Sequence, residues 1–184
     1  MPQSLDLALL RWIVSLPHPQ ALTYVVGAYS ILGISGALWI VMAFLFALRE
    51  GGGKTLMAAW RVVLAVWLAL LVANWVVKPT IDRPRPFVTD PSLVVSGAYL
   101  PSSPSFPSGH AASAIAGAFA LSLLWPPRRR WFWTMAALMV GARLYLGVHY
   151  PTDVVVGAVV GWACAVFATA RTPCYISGSL PRSA

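Results

Sequence analysis

Residues 56–86 read LMAAWRVVLAVWLALLVANWVV followed by KPTIDRPRP. The first of these segments, residues 56–77, carries one charge, Arg61. At ~1.5 Å of rise per residue it forms a helix of ~33 Å, enough to cross a ~30 Å hydrocarbon core. At Lys78 the chain changes character abruptly. Residues 78–107 hold seven prolines together with Asp82, Arg83, Arg85 and Asp90, the composition of a long loop outside the bilayer. A span ending in a polar, proline-rich loop sets the fold class, and the flanking sequence repeats the pattern.

Upstream, residues 21–48 form another apolar run, stopped by Arg49, Glu50 and three glycines at 51–53. Downstream, residues 109–125 end at Pro126, Pro127 and the triplet Arg128, Arg129, Arg130, and two further runs cover 131–148 and 153–170. Five spans are expected, forming an all-α integral membrane bundle in a single membrane-embedded domain over 1–184. Residues 4–16, SLDLALLRWIVSL, are short for a span and are interrupted by Asp6 and Arg11. They read as an N-terminal interfacial amphipathic helix, not as a secretory signal, whose charge precedes an uninterrupted apolar core.

Composition agrees with this reading. Of 184 residues 59% are hydrophobic and 10% charged, too apolar for a soluble domain to shield. The net charge of +8 is spread over short loops and makes no basic stripe interleaved with aromatics, so nucleic acid is not the expected partner. Counting basic residues on alternate sides gives Arg49, Lys54, Arg61, Arg128, Arg129, Arg130, Arg171 and Arg182 against Arg11, Lys78, Arg83, Arg85 and Arg143. The richer side is expected in the cytoplasm, which turns the 78–107 loop outward. Cys164 and Cys174 have no metal-ligand or paired spacing and read as apolar filler. Gly27, Ser30, Gly33, Gly157 and Gly161 are expected to permit close helix packing. The nine tryptophans read as interface belts and packing, and His18, between two prolines, as a packing residue.

Three polar clusters break the apolar sequence, and the expected topology puts all three at one membrane surface. They are Lys78 to Pro86; Pro107-Ser108-Gly109-His110; and Arg143-Leu-Tyr-Leu-Gly-Val-His149-Tyr-Pro-Thr-Asp153. Such residues can meet the demands of phosphate-ester cleavage: cations and donors for the equatorial oxygens, an in-line nucleophile, and an acid for the leaving oxygen. Lys78, Arg85 and Arg143 are the cations, the arginines offering a planar fork. Lys78 and Arg143 could equally be snorkelling anchors if they stood alone. Ser108 and Gly109 precede a helix whose positive end would face an anion. His149 and Asp153, four apart, would meet if the last helix begins early enough, the carboxylate then fixing the imidazole tautomer. Spacing does not decide whether His110 or His149 attacks. Asp82 and Arg83 read as loop structure.

The three clusters together resemble the signature of the type-2 phosphatidic acid phosphatase superfamily: Lys, six residues, Arg-Pro; Pro-Ser-Gly-His; Ser-Arg, five residues, His, three residues, Asp. The match runs from 78 to 153, with Ala142 in place of the serine. The resemblance implies that His149 is the nucleophile, forming a phosphohistidine, that His110 protonates the leaving group, and that Asp153 orients His149. Lys78, Arg85, Ser108, Gly109 and Arg143 would bind the phosphate. It implies a metal-independent lipid phosphate phosphatase of the bacterial inner membrane with its site facing the periplasm or cell exterior. The chain also lacks the carboxylate cluster that a two-metal site needs. No cofactor and no obligatory protein partner is expected beyond a lipid phosphate substrate and the membrane lipids. Undecaprenyl pyrophosphate or a related polyprenyl phosphate is the first expectation, ahead of phosphatidylglycerol phosphate and phosphatidic acid. A phosphotransferase using the same site, or an anion or lipid transporter, is the alternative.

Overall fold

The computed structural model describes residues 2–170. Cys174, Arg171 and Arg182 lie outside them. Among the described residues the regular structure is helical throughout. In chain order it comprises α1 (Pro2–Ser15), α2 (Gln20–Leu32), α3 (Ala37–Glu50), α4 (Gly53–Leu71), α5 (Lys78–Ile81), α6 (Pro86–Thr89), α7 (Gly109–Leu124), α8 (Arg129–Tyr145) and α9 (Pro151–Thr169). A π turn over Val72–Val77 joins α4 to α5.

Side-chain size sorts each helix into an inner and an outer face. On α4, Met57, Trp60, Leu64, Trp67 and Leu71 are exposed while Ala58, Ala59, Val62, Ala65, Val66 and Ala69 are buried. On α9, Val155, Val159 and Trp162 face out at helical spacing. Large side chains outside and alanine inside is the arrangement for helices whose solvent is lipid, where close backbone approach replaces the hydrophobic drive. α7 occupies the middle, packed by α3, α4, α8 and α9, and is built from small residues on nearly every side. A helix apolar all round is a buried one.

By length and composition, Gly53–Thr89 and Pro151–Thr169 qualify as membrane spans, and the pair Gln20–Leu32 and Ile34–Glu50 qualifies together. That pair corrects the reading of residues 21–48 as one continuous span. The two halves meet at 56°, because Ser35 (φ 55°) and Gly36 (φ 72°) take left-handed backbone that a helix does not continue through. α7, at 16 residues, is a shorter apolar helix. α8 stops at Tyr145, before the expected 148, where the chain turns at Gly147 (φ 66°).

Among the described residues, two of the loops assigned to the basic side meet. Arg128 lies 3.7 Å from Glu50 and over the ring of Phe46, joining the end of α3 to the turn after α7. The opposite end receives the three polar clusters. The contact that brings two of them together is the crossing of α7 and α9. The Ser108 amide donates to the Asp153 carbonyl at 2.9 Å, and Gly157 and Gly161 lie against the carbonyls of Ser108 and Ala112. A Cβ at either glycine would strike backbone, which bears out the packing role expected for this pair. Gly161→Val should therefore lower stability by about 1–3 kcal/mol, seen as a lower unfolding midpoint of the detergent-purified protein.

Candidate active site

The site begins with helix ends. Ser108 caps α7, its hydroxyl accepting from the Ala111 amide at 3.4 Å, so the first free amides of α7 point out of the bundle beside Gly109 and His110. The π turn after α4 serves a similar purpose. Leu70, Asn74 and Lys78 all reach one cavity although four-residue steps drift by ~40° on a 3.6-residue helix, and a π turn's wider winding keeps them in line.

The cavity measures about 270 Å³. Lys78, Arg85, Gly109, His110, Arg143 and His149 all line it, so six of the eight residues expected from the sequence converge. The other two stand behind the wall. Ser108 is fully buried as the α7 cap, and Asp153 is fully buried behind His149. Lys78, Arg85 and Arg143 are each below one-tenth exposed, yet among the described residues none forms an ion pair with a carboxylate. Arg85 is held by oxygen lone pairs instead: its Nε donates to the Ser103 carbonyl at 2.7 Å, Nη1 to the Val148 carbonyl at 2.8 Å and Nη2 to the Ser103 hydroxyl at 3.1 Å. Arg143 donates from Nη1 to the Ser30 hydroxyl, while its Nε is buried with no hydrogen-bond partner.

His149 precedes α9 instead of belonging to its first turn, so the expected pairing across one helical turn is replaced by a different geometry. Asp153 is the third residue of α9 and accepts the Tyr150 amide at 2.9 Å, which folds the chain back and sets His149 Nδ1 3.5 Å from Asp153 Oδ2. That separation is longer than a normal hydrogen bond, and Nδ1 has no hydrogen-bond partner. On the other side of the ring, Nε2 lies 3.2 Å from Arg85 Nη1. A guanidinium only donates, so Nε2 is the acceptor and the ring proton is assigned to Nδ1, facing Asp153. Burial pushes the His149 imidazole down to about 3, helped by Arg143 and Arg85 and opposed by Asp153, so the ring is neutral at pH 7. His110 Nε2 lies 3.2 Å from the Ser30 carbonyl.

Several residues at the site escaped the sequence reading. Ser30, expected only to ease packing, contacts both Arg143 and His110. Gly27, expected to do the same, has nothing near the place a Cβ would take, and it lines the cavity. Gly33 does face a neighbour, Met139. The sequence places Arg83 in a loop and Asp6 on an amphipathic helix. Arg83 donates to Asp153 Oδ1 at 2.7 Å and to Asp6 Oδ2 at 2.8 Å. Ser105 donates to Asp153 Oδ2. The one signal for Asp6 and Ser30 was a polar side chain inside an otherwise apolar run.

A family model described as the PAP2 superfamily matches residues 58–173. The decaprenylphosphoryl-5-phosphoribose phosphatase of Mycolicibacterium smegmatis is 36% identical over 139 residues, covering 71% of this chain and 68% of that protein. Phosphatidylglycerophosphatase B of Escherichia coli (strain K12) is 44% identical over 72 residues, which cover 35% of this chain and only 28% of the relative's length. Among solved structures, Aquifex aeolicus LpxE superposes with a TM-score of 0.70 at 29% identity, over 90% of this chain and 95% of the other. With the three motifs gathered at one end of a helical membrane bundle, and a family model covering more than half of the sequence, the chain belongs to the PAP2 superfamily.

Proposed function

We propose that the protein is a metal-independent lipid phosphate phosphatase working through a phosphohistidine on His149. The observation that carries this reading is the cavity holding Lys78, Arg85 and Arg143, three buried cations with no carboxylate ion-pair partner among the described residues, beside a neutral histidine. Buried charge is costly unless it is paired. An anion with several oxygens supplies the missing partner, and a cation would be repelled.

In this reading the phosphate oxygens lie among Lys78, the arginines and the α7 amides at Gly109, the Ser108 hydroxyl serving the helix end behind them. Nε2 of His149 attacks phosphorus as the bond to the lipid oxygen breaks, and the Nδ1 proton turns toward Asp153, which stabilises the imidazolium. His110 gives a proton to the departing oxygen and then takes one from the water that cleaves the phosphohistidine, releasing inorganic phosphate. The apolar part of the wall, Ile31, Ile34 and Leu70, suits the chain of a lipid.

We place five spans in the bilayer, α2 and α3 forming one bent crossing, with α1 at the interface and the cavity facing the periplasm or cell exterior. The basic residues at the opposite end favour that orientation. The substrate class is a polyprenyl phosphate or pyrophosphate, undecaprenyl pyrophosphate first, in keeping with the decaprenylphosphoryl name of the mycobacterial relative. Phosphatidylglycerol phosphate follows, in keeping with the Escherichia coli relative.

Purified protein with excess EDTA should release phosphate from a panel of lipid phosphates at its full rate. Activity that disappears in EDTA and returns with magnesium or zinc overturns the metal-independent reading. His149→Ala should abolish acid-labile labelling of the protein by a labelled lipid pyrophosphate. His110→Ala should cost about 100- to 10,000-fold on a lipid monoester and less on a pyrophosphate, whose leaving group needs less protonation. Label still reaching His149→Ala assigns the attack elsewhere, and equal losses on both substrates remove His110 from the leaving-group role.

Orthovanadate, which does not cross the membrane readily, should inhibit hydrolysis in intact spheroplasts. Inhibition confined to inside-out vesicles reverses the orientation.

A further inference from the structure

Asp6 is an unexpected residue to find buried. It lies on α1, a helix whose outer face presents Leu5, Leu9 and Trp12 to the surroundings, yet its own exposure is 3%. It also precedes the part of the chain that the family model matches. A carboxylate on an interfacial helix has water or headgroups within reach, and taking it into protein costs several kcal/mol unless it is fully paired. Pairing is what Asp6 obtains. Oδ2 accepts from Arg83 Nη2 at 2.8 Å and from the Thr152 hydroxyl, and Oδ1 accepts from the Thr152 amide at 3.0 Å.

Arg83 passes this anchorage on. Its Nη1 donates to Asp153 Oδ1 at 2.7 Å and to the Thr152 hydroxyl oxygen at 2.8 Å, and its guanidinium lies 3.8 Å from the centre of the Tyr150 ring. These three contacts fall on the segment from Tyr150 to Asp153, directly after His149. Both oxygens of Asp153 are thereby fixed: Oδ1 by Arg83, Oδ2 by Ser105 and the Tyr150 amide. A carboxylate held from both sides cannot rotate, so Oδ2 stays the oxygen nearest His149 Nδ1. α1 itself is secured independently. Leu10 packs with Leu93 and Tyr150, and Arg11 forms an exposed ion pair with Asp90 at 2.7 Å.

We propose that Asp6 and Arg83 are positioning residues that act through Asp153, making the N-terminal helix part of the unit that orients His149. The proposal rests on the phosphatase reading above. Arg83 fixes the plane of the orienting carboxylate, and Asp6 fixes Arg83 and balances its charge, so that the guanidinium does not draw Asp153 away from the ring. Neither residue lines the cavity, so neither is expected to bind substrate.

The test is a double-mutant cycle on the full chain in detergent, with a lipid phosphate that the wild type hydrolyses. Arg83→Gln should lower kcat about 10- to 100-fold, the size seen when the partner that orients a metal-bound histidine is lost, with KM changed less than about threefold. In an Asp153→Asn background the same substitution should cost less than about threefold, because the group it positions is already altered. Asp6→Asn should show a smaller loss that vanishes in the Arg83→Gln background. Losses that multiply, a rise in KM at constant kcat, or no loss at all overturn the proposal. Should Arg83→Gln not survive purification as a monodisperse species, Arg83→Lys carries the same cycle, since it keeps the charge but lacks the fork that spans both carboxylates.

A wild type that hydrolyses nothing in the panel defeats the functional reading and leaves the positioning to a direct readout. In histidine-labelled protein Arg83→Gln should move the His149 ring nitrogen signals when Asp153 is present and leave them in place when it is Asn. Signals that do not move, or that move equally in both backgrounds, overturn it.

Discussion

Everything at the cavity end of this molecule depends on holding positive charge where little answers it. Lys78, Arg85 and Arg143 are buried at the rim of an apolar bundle, and the buried carboxylate behind His149, Asp153, is already committed to Arg83, which Asp6 holds in turn. The buried cations are left with an excess of positive charge, which an anion such as phosphate would answer. The protein keeps those cations in place with neutral groups. Backbone carbonyls of Ser103 and Val148 hold Arg85 and the Ser30 hydroxyl holds Arg143, which fixes position without cancelling charge. Donors that are fixed before the anion arrives need no rearrangement when it does, which is the condition for electrostatic stabilisation of a transition state.

Rigidity of that kind has to come from the bundle, and the bundle obtains it by close packing of small residues. α7 can stand at the centre because alanine and glycine let four neighbours approach its backbone. The crossing with α9 then fixes the relative height of two helix starts, and the amide of Ser108 donating to the carbonyl of Asp153 locks them. Two motifs more than thirty residues apart in sequence therefore meet as a consequence of helix packing. The third arrives on the loop after α4, wrapped back so that Ser105 and Arg83 bond to one another through the backbone at 2.8 Å as well as to Asp153.

How much of this the sequence could tell follows from where each residue stands. The cavity residues were legible because lysine, arginine and histidine in an apolar chain are conspicuous, and because their spacing repeats a known three-part pattern. The helix runs were legible for the same reason in reverse. What escaped was set by tertiary geometry. A bend between α2 and α3 depends on left-handed backbone at Ser35 and Gly36, and a run of apolar residues carries no mark of it. Ser30 looks like any small residue on a packing face until the bend carries it to Arg143 and His110. The distance from His149 to Asp153 invited a helical turn, and the proline at 151 was the available sign that the helix starts after the histidine, since proline favours the first helical position.

The resting geometry of His149 also bears on how a site so short of negative charge avoids collapsing on the histidine proposed to attack. On the proposed mechanism Nε2 must be free to attack, yet Arg85 Nη1 stands 3.2 Å from it and uses its lone pair. The guanidinium does not depend on that contact, because the same nitrogen also donates to the Val148 carbonyl at 2.8 Å and the rest of the fork is taken up by Ser103. A phosphate oxygen is a better acceptor for Arg85 than a neutral imidazole, since it adds the attraction of an opposite charge and an oxygen geometry that the guanidinium fork matches. On that mechanism the anion takes Arg85 from the ring as it enters, and the lone pair is released by the arrival of the substrate it is proposed to attack. Meanwhile the proton stays on Nδ1, facing a carboxylate that two other donors and an arginine prevent from turning away.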